Sequence, residues 1–280
     1  MKLKMTTLIE NMPDKENKLK FEHGFSVWIE VDDKKILFDT GQSGDFVKNA
    51  AALGIEVSEA DYVVLSHGHY DHTGGVPALL NQLRKTTPFY LGKEFFSPKY
   101  KKLEDGSFKY NGNPFEQTLF EQQETLAELR YIEDSVVPIS ENIVLLKNFS
   151  SVSGFEERNP KFFIKKEKNY VPDDFVDEIA LGIRMENGIV LVAGCSHVGI
   201  VNMMEHVHKV MKVPVAAVIG GTHLVEAGEE RLRKTVEAFR RNELKTIAVS
   251  HCTGEAGIEL LKKEFPQEFL LNTTGTVIQF

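Results

Sequence analysis

Four side chains able to bind a metal crowd six positions: His67, His69, Asp71 and His72, within residues 66–75, which read SHGHYDHTGG. Three imidazoles and a carboxylate suit a borderline cation such as Zn²⁺. The strict HxHxDH spacing argues against a merely solvated histidine loop. Further along the chain, Cys195 and His197 stand in GCSHVGIVN, His223 in GGTHL and His251 in HCTG. Thiolate and imidazole donors there extend the same chemistry.

The elements that must position these residues can be read around them. Tyr62-Val63-Val64-Leu65 is a buried-strand pattern that ends at His67, and Val76-Pro77-Ala78-Leu79-Leu80 starts a helix with Pro in its first turn. Other apolar runs also end in polar residues: 35–38 at Asp39, 188–193 at Cys195 and His197, 215–219 at His223, and 246–249 at His251. Strands that deliver side chains from one edge are how sheet enzymes build a site. Helical patterns cover 45–53, 77–84, 201–211, 229–241 and 256–264. Mixed strands and helices in two halves fit two packed sheets with helices outside. Periodicity alone does not separate that arrangement from a doubly wound sheet.

The 280 residues are 42% hydrophobic, enough for a large core. Net charge is −8, with 41 acidic against 33 basic residues and no Lys/Arg-rich block, so nucleic acid is not an expected partner. The opening MKLKMTTLIENM lacks the apolar run of a signal peptide, and no stretch nears the roughly 18 apolar residues of a membrane span. Cytoplasm is the expected compartment. Cys195 and Cys252 both lie beside histidines and read as reduced thiols, not a disulfide.

Residues 89–175 hold 16 of the chain's 27 aromatic residues and no His or Cys. They read as an insertion between two half-domains of one domain spanning 1–280. As a packed excursion, a lid or a pocket wall, the insertion would leave the metals to the rest of the chain. The acidic run at 173–178 is expected to be a solvated edge, with a role for Asp177 left open. His206 and His208 are two apart on a helix, share no face, and are expected at the surface.

The HxHxDH motif followed by TGG resembles the signature of the metallo-β-lactamase-fold hydrolases. EHGFSVWIE (22–30), LFDTGQSG (37–44), NAAALGI (49–55), GCSHVGIVN (194–202), GGTHL (220–224) and HCTG (251–254) resemble one branch of it. That branch is the dihydropterin-ribofuranosyl-aminobenzene-phosphate synthase-related hydrolases. The resemblance implies an α/β (α+β) fold, a four-layer αββα sandwich with the aromatic-rich insertion. It implies His67 and His69 on one ion, and Asp71, His72 and His251 on a second. It also implies that Asp39 orients a ligand through a hydrogen bond. The chain departs from the family where a metal-bridging aspartate is usual and Cys195 stands instead. It also has no histidine between His72 and His197, which makes His197 the expected substitute in the first site. Cys195 is either a ligand or a buried apolar thiol. His223 is a substrate contact, a proton donor or an extra ligand, and His23 is a rim residue or an ordinary loop residue.

The function this implies is a metal-dependent hydrolase using metal-activated water. It would carry one or two divalent transition-metal ions, zinc before others. Asp71 and His223 are the catalytic candidates. The expected substrate is a small anionic phosphate ester or phosphodiester, possibly pterin-related. Alternatives are a lactone or carboxylic ester hydrolase, a di-iron redox protein, and a non-catalytic binding module. No membrane partner is expected, and oligomeric state stays open.

Overall fold

The computed structural model describes residues 2–122 and 126–280, and among these described residues three sheets organise the chain. The chain divides into two compact units. The first comprises Met1–Tyr131, Asn159–Asp177 and Thr273–Phe280; the second comprises Ile132–Arg158 and Glu178–Asn272.

In the first unit a sheet runs in the order β18 (Val277–Gln279), β1 (Leu3–Ile9), β2 (Ser26–Val31), β3 (Lys34–Phe38), β4 (Tyr62–Val64), β5 (Thr87–Gly92), β8 (Ala127–Ile132), with strands numbered along the chain. β3, β4 and β5 are parallel neighbours, which explains their apolar runs: parallel strands are covered on both faces. Leu37, Val63, Phe89 and Leu65 join Trp28 and Phe46 in one buried cluster. Each such side chain removed from water contributes about 1.5–3 kcal/mol. Phe46 and Ala50 come from helix α1 (Asp45–Ala52). The HxHxDH stretch leaves β4, makes the short helix α2 (Tyr70–Thr73), and continues into α3 (Val76–Leu80). The helix expected over 77–84 ends at Leu80 with Asn81 as its cap, a residue that favours helix ends over interiors.

The same unit carries a four-stranded sheet, ordered β12 (Asn169–Pro172), β11 (Phe162–Lys166), β6 (Lys99–Lys102), β7 (Phe108–Tyr110). Its register puts Lys99 opposite Ile164 and Lys101 opposite Phe162 on one face. Tyr100, Phe108, Tyr110, Phe163 and Tyr170 fall on the other, where the rings of Phe108 and Tyr170 stack at 3.8 Å.

The second unit's sheet runs β17 (Phe269–Leu271), β16 (Thr246–Ser250), β15 (Val215–Gly221), β14 (Gly188–Ala193), β13 (Ala180–Met185), β10 (Ile143–Leu146), β9 (Val136–Pro138). β14 through β17 are parallel, so their C-terminal ends share one edge. α5 (Ile200–Met211), α6 (Glu229–Arg241) and α7 (Gly254–Glu264) lie close to the helices read from the sequence.

Residues 89–175 contribute to every sheet: β5 and β8 to the first, all four strands of the small sheet, and β9 and β10 to the second. Within that stretch, 123–125 lie outside the described residues. His206 corrects an expectation. It is buried, its ring 5.1 Å from that of Phe149, because α5 turns that face inward. No helix among the described residues is long and apolar enough to cross a membrane.

Candidate metal centre

In the first unit, each imidazole of the HxHxDH turn has one ring nitrogen committed to the surrounding protein. His67 Nδ1 lies 2.9 Å from Ser66 Oγ, His69 Nε2 3.2 Å from Asn111 Nδ2, and His72 Nδ1 2.7 Å from Asp39 Oδ2. The opposite nitrogens of His67 and His69 converge, with Nε2 and Nδ1 3.0 Å apart. His72 Nε2 stands 3.7 Å from Asp71 Oδ2. His67 and His72 each meet an oxygen that can accept an N–H, and a histidine donating through one nitrogen presents the other unprotonated and in a set direction, the arrangement metal-binding histidines use. All four residues are buried.

Asp39 sits at the end of β3 with φ 56°, a left-handed conformation costly for a residue with a side chain. There its Oδ1 accepts the Ser66 N–H at 2.7 Å, and its Oδ2 accepts the Ser66 hydroxyl at 2.7 Å while meeting His72. Burial pushes the Asp39 carboxyl up and His72 beside it pulls the other way; the net direction is upward. Burial, reinforced by His72 and His69, holds His67 well below the ordinary imidazole range, so it stays neutral, the form that ligates. His23, half-exposed, brings Nε2 to 3.2 Å from Asp71 Oδ2, and its Nδ1 lies 3.2 Å from Asn11 Nδ2. It is therefore in contact with the turn and not a remote loop residue.

The small sheet packs on this turn. The His69 ring lies 5.4 Å from that of Phe162 and 5.8 Å from that of Phe175. Asn111 O accepts the Tyr70 N–H at 3.2 Å. Gly68 has no room for a side chain, since a Cβ would run into the Phe95 carbonyl oxygen. Two of the aromatics between 89 and 175 thus touch the turn. Others, including Phe89, Phe96, Phe115 and Phe120, pack edge-on among themselves.

In the second unit the remaining candidates leave the parallel strand ends. Cys195 and His197 follow β14, His223 follows β15, and His251 follows β16. Cys195 Sγ lies 3.3 Å from His251 Nε2, and the rings of His197 and His223 are 4.4 Å apart. Ser196, His223 and His251 all take left-handed backbone, with φ of 59°, 47° and 52°. Burial, with the nearby Arg231 charge, pushes His223 down to about 4, so near neutral pH it is an uncharged donor and acceptor. Neither Cys195 nor Cys252 is in a disulfide.

The acidic run is where the sequence reading fails. Asp173, Asp177 and Glu178 are buried, not solvated. Lys99 Nζ donates to Asp173 Oδ2 at 2.7 Å and to Asp177 Oδ1 at 2.9 Å. Burial alone would lower the Lys99 ammonium, but the two carboxylates outweigh it and its affinity for the proton is raised. Removing one member of such a buried set costs about 3–5 kcal/mol, because the others are left uncompensated. Glu156, also missed, accepts the Val201 and Asn202 N–H groups at 3.0 and 2.7 Å at the start of α5. For the acidic run a signal existed: Asp177-Glu178 abuts Ile179 and the buried strand β13, and carboxylates touching a buried run are themselves prone to burial.

The donors in each unit fit a transition metal. His67 and His69 offer ligand atoms within 4.8 Å of each other, as do Asp71 and His72, and Cys195 and His251.

Residues 19–129 match the family model described as the metallo-beta-lactamase superfamily. The chain is similar to a 7,8-dihydropterin-6-methyl-4-(beta-D-ribofuranosyl)-aminobenzene-5'-phosphate synthase from Methanocaldococcus jannaschii, 31% identical over 99% of this chain and 97% of the relative. It is also 31% identical to an uncharacterized protein of the same archaeon, over 92% of this chain and 93% of that one. Among solved structures, Tm1679, described as a metal-dependent hydrolase of the beta-lactamase superfamily, superposes with a TM-score of 0.84 at 28% identity, covering 99% of both chains. The fold class expected from the sequence is thus the one found, and the chain belongs to the metallo-β-lactamase superfamily, in the branch of the archaeal synthase.

Proposed function

We propose that this protein is a metal-dependent hydrolase of a small anionic phosphate ester or phosphodiester. The observation that carries the reading is the anchoring in the HxHxDH turn. Ser66, Asn111 and Asp39 each hold one nitrogen of a buried imidazole. A turn that spends three polar partners on orienting three imidazoles is built to present donors, not to fill space. The archaeal relative's name refers to a ribofuranosyl phosphate carrying a pterin, which favours a phosphate-bearing, pterin-related substrate over a lactone or carboxylic ester.

In this reading His67, His69, Asp71 and His72 would be the metal donors of the first unit, and His197 and His251 those of the second, with Cys195 as a further thiolate donor that favours zinc over oxygen-preferring metals. A divalent ion with an open coordination position would supply Lewis acidity and a water of lowered pKa. The chain's own residues do the rest. Asp39 fixes the direction of His72. Asp71 orients the attacking group. His223, neutral at working pH, donates or accepts a hydrogen bond at the substrate. Phe162 and Phe175, both buried, pack their rings beside His69 and help to hold it in place.

The test is metal analysis joined to activity on a panel of phosphomonoesters, phosphodiesters and lactones. Metal-dependent turnover of a phosphate ester is expected. Turnover confined to lactones would replace the substrate class. Iron without zinc, together with redox activity, would replace the reaction. Bound metal with no turnover on any member would leave a binding module.

A further inference from the structure

We infer that the consecutive carboxylates Asp177 and Glu178 are positioning residues, each gripping the backbone of one ligand-bearing loop, with Lys99 as the buried countercharge that fixes Asp177. The inference rests on the metal-dependent reading of those loops. In the first unit, Asp177 Oδ2 accepts the N–H of Gly68, the residue between His67 and His69, at 2.8 Å. Its other oxygen receives Lys99 Nζ at 2.9 Å. Lys99 is tied in turn to Asp173, whose Oδ1 accepts the Phe175 N–H at 2.7 Å, two residues before Asp177. The side chains of Lys99, Asp173 and Asp177 are only 2%, 3% and 1% exposed. The Asp177 backbone is pinned as well, since a Cβ on Gly92 at the end of β5 would run into its carbonyl. The peptide joining the two histidines therefore cannot shift without breaking a charge-assisted hydrogen bond in a dry environment, where such bonds are strong.

In the second unit the next residue makes the matching contact. Glu178 Oε1 accepts the His197 N–H and Oε2 the Val198 N–H, both at 2.8 Å. A carboxylate held by two successive N–H groups fixes the plane of the peptide between them, and so the direction in which the His197 side chain leaves the chain. In both units the grip is on backbone N–H groups, which leaves the imidazoles to ligate. Ligand sites loosen when their supporting contacts are lost, even if every ligand is kept.

The test uses the whole protein and zinc alone, with affinity read by competition against a chromophoric chelator and folding read by circular dichroism. Asp177→Asn and Glu178→Gln should each weaken zinc binding by roughly tenfold or more while the fold persists. Lys99→Met should weaken it too, and Lys99→Met with Asp177→Asn should be no worse than the more damaging single change, since both act through one contact. Asp173→Asn disturbs the same buried set without touching Gly68 and should cost less affinity than Asp177→Asn. In the unaltered protein, amide hydrogen exchange at Gly68 and His197 should be slow; should a variant fail to fold, this measurement still decides. Wild-type zinc affinity in folded Asp177→Asn and Glu178→Gln would overturn the inference. So would equal losses in Asp173→Asn and Asp177→Asn, or exchange at Gly68 and His197 as fast as in an exposed loop. If the unaltered protein binds no divalent transition metal, the metal reading itself falls and takes this inference with it.

Discussion

The two units prepare their donors by different means. In the first, the candidates lie within six residues of one turn, and side-chain hydrogen bonds from Ser66, Asn111 and Asp39 aim each imidazole. In the second, the candidates are scattered from 195 to 251, and the sheet does the gathering: parallel strands end at one edge, and left-handed residues at Ser196, His223 and His251 turn the chain there. A non-glycine residue held in an unfavourable backbone region costs on the order of 1–3 kcal/mol, which the surrounding sheet must offset. Donors aimed by side chains are vulnerable to single polar substitutions. Donors aimed by strand ends are vulnerable at the donors themselves and at the few contacts that hold their backbone, such as that of Glu178.

The largest effect is expected at the turn. His69→Ala should remove metal and lower activity by more than about 100-fold, beyond the 10–100-fold typical of losing an orienting partner. Thermal unfolding should change little, because a large core and not the metal carries the fold; a collapsed circular dichroism spectrum would contradict this. Asp39→Asn keeps every ligand and removes the charge that orients His72, so metal affinity should fall about 10–100-fold. No change there would mean that the first unit's anchoring is decorative and the contrast between the units is false.

The second unit is probed by comparing Cys195→Ser with His197→Ala. If His197 is a metal ligand, His197→Ala costs more zinc affinity. If the thiolate is the stronger donor, the order reverses.

A separate effect is expected on stability against pH in the metal-free protein. Burial lowers the folded-state values of His67 and His223, the latter from 6.5 to about 4. As pH falls below about 6.5 the unfolded chain takes up these protons first, so their contribution is full above that pH and declines below it, for His223 until about pH 4. For His223 the loss is about 3 kcal/mol. The direct check is the His223 ring itself, followed by nuclear magnetic resonance: titration near 6.5 in the folded protein would show that this imidazole is not held neutral by burial.

Much of this was readable in the sequence where spacing and burial act locally. HxHxDH sits between β4 and the helices that follow, and the runs 188–193, 215–219 and 246–249 all became strands that end at candidate donors. Asp39 closes an apolar strand, and the family resemblance implies its orienting role. What escaped depends on partners far along the chain. Lys99 looks like a surface lysine in a lysine-rich strand until the register of β6 and β11 turns it inward, toward Asp173 and Asp177. The acidic run looked solvated because each carboxylate's partner lies many positions away, at Gly68, Lys99 and His197. His206 misled for a similar reason: helix spacing says which residues share a face, not which face is covered.

The most direct test of the central claim is to strip the purified protein with a chelator, return zinc stepwise, and follow hydrolysis of a chromogenic phosphodiester. The account predicts no turnover in the stripped protein and activity that rises with bound zinc until the donor sets are filled. Turnover that persists after complete metal removal would contradict it.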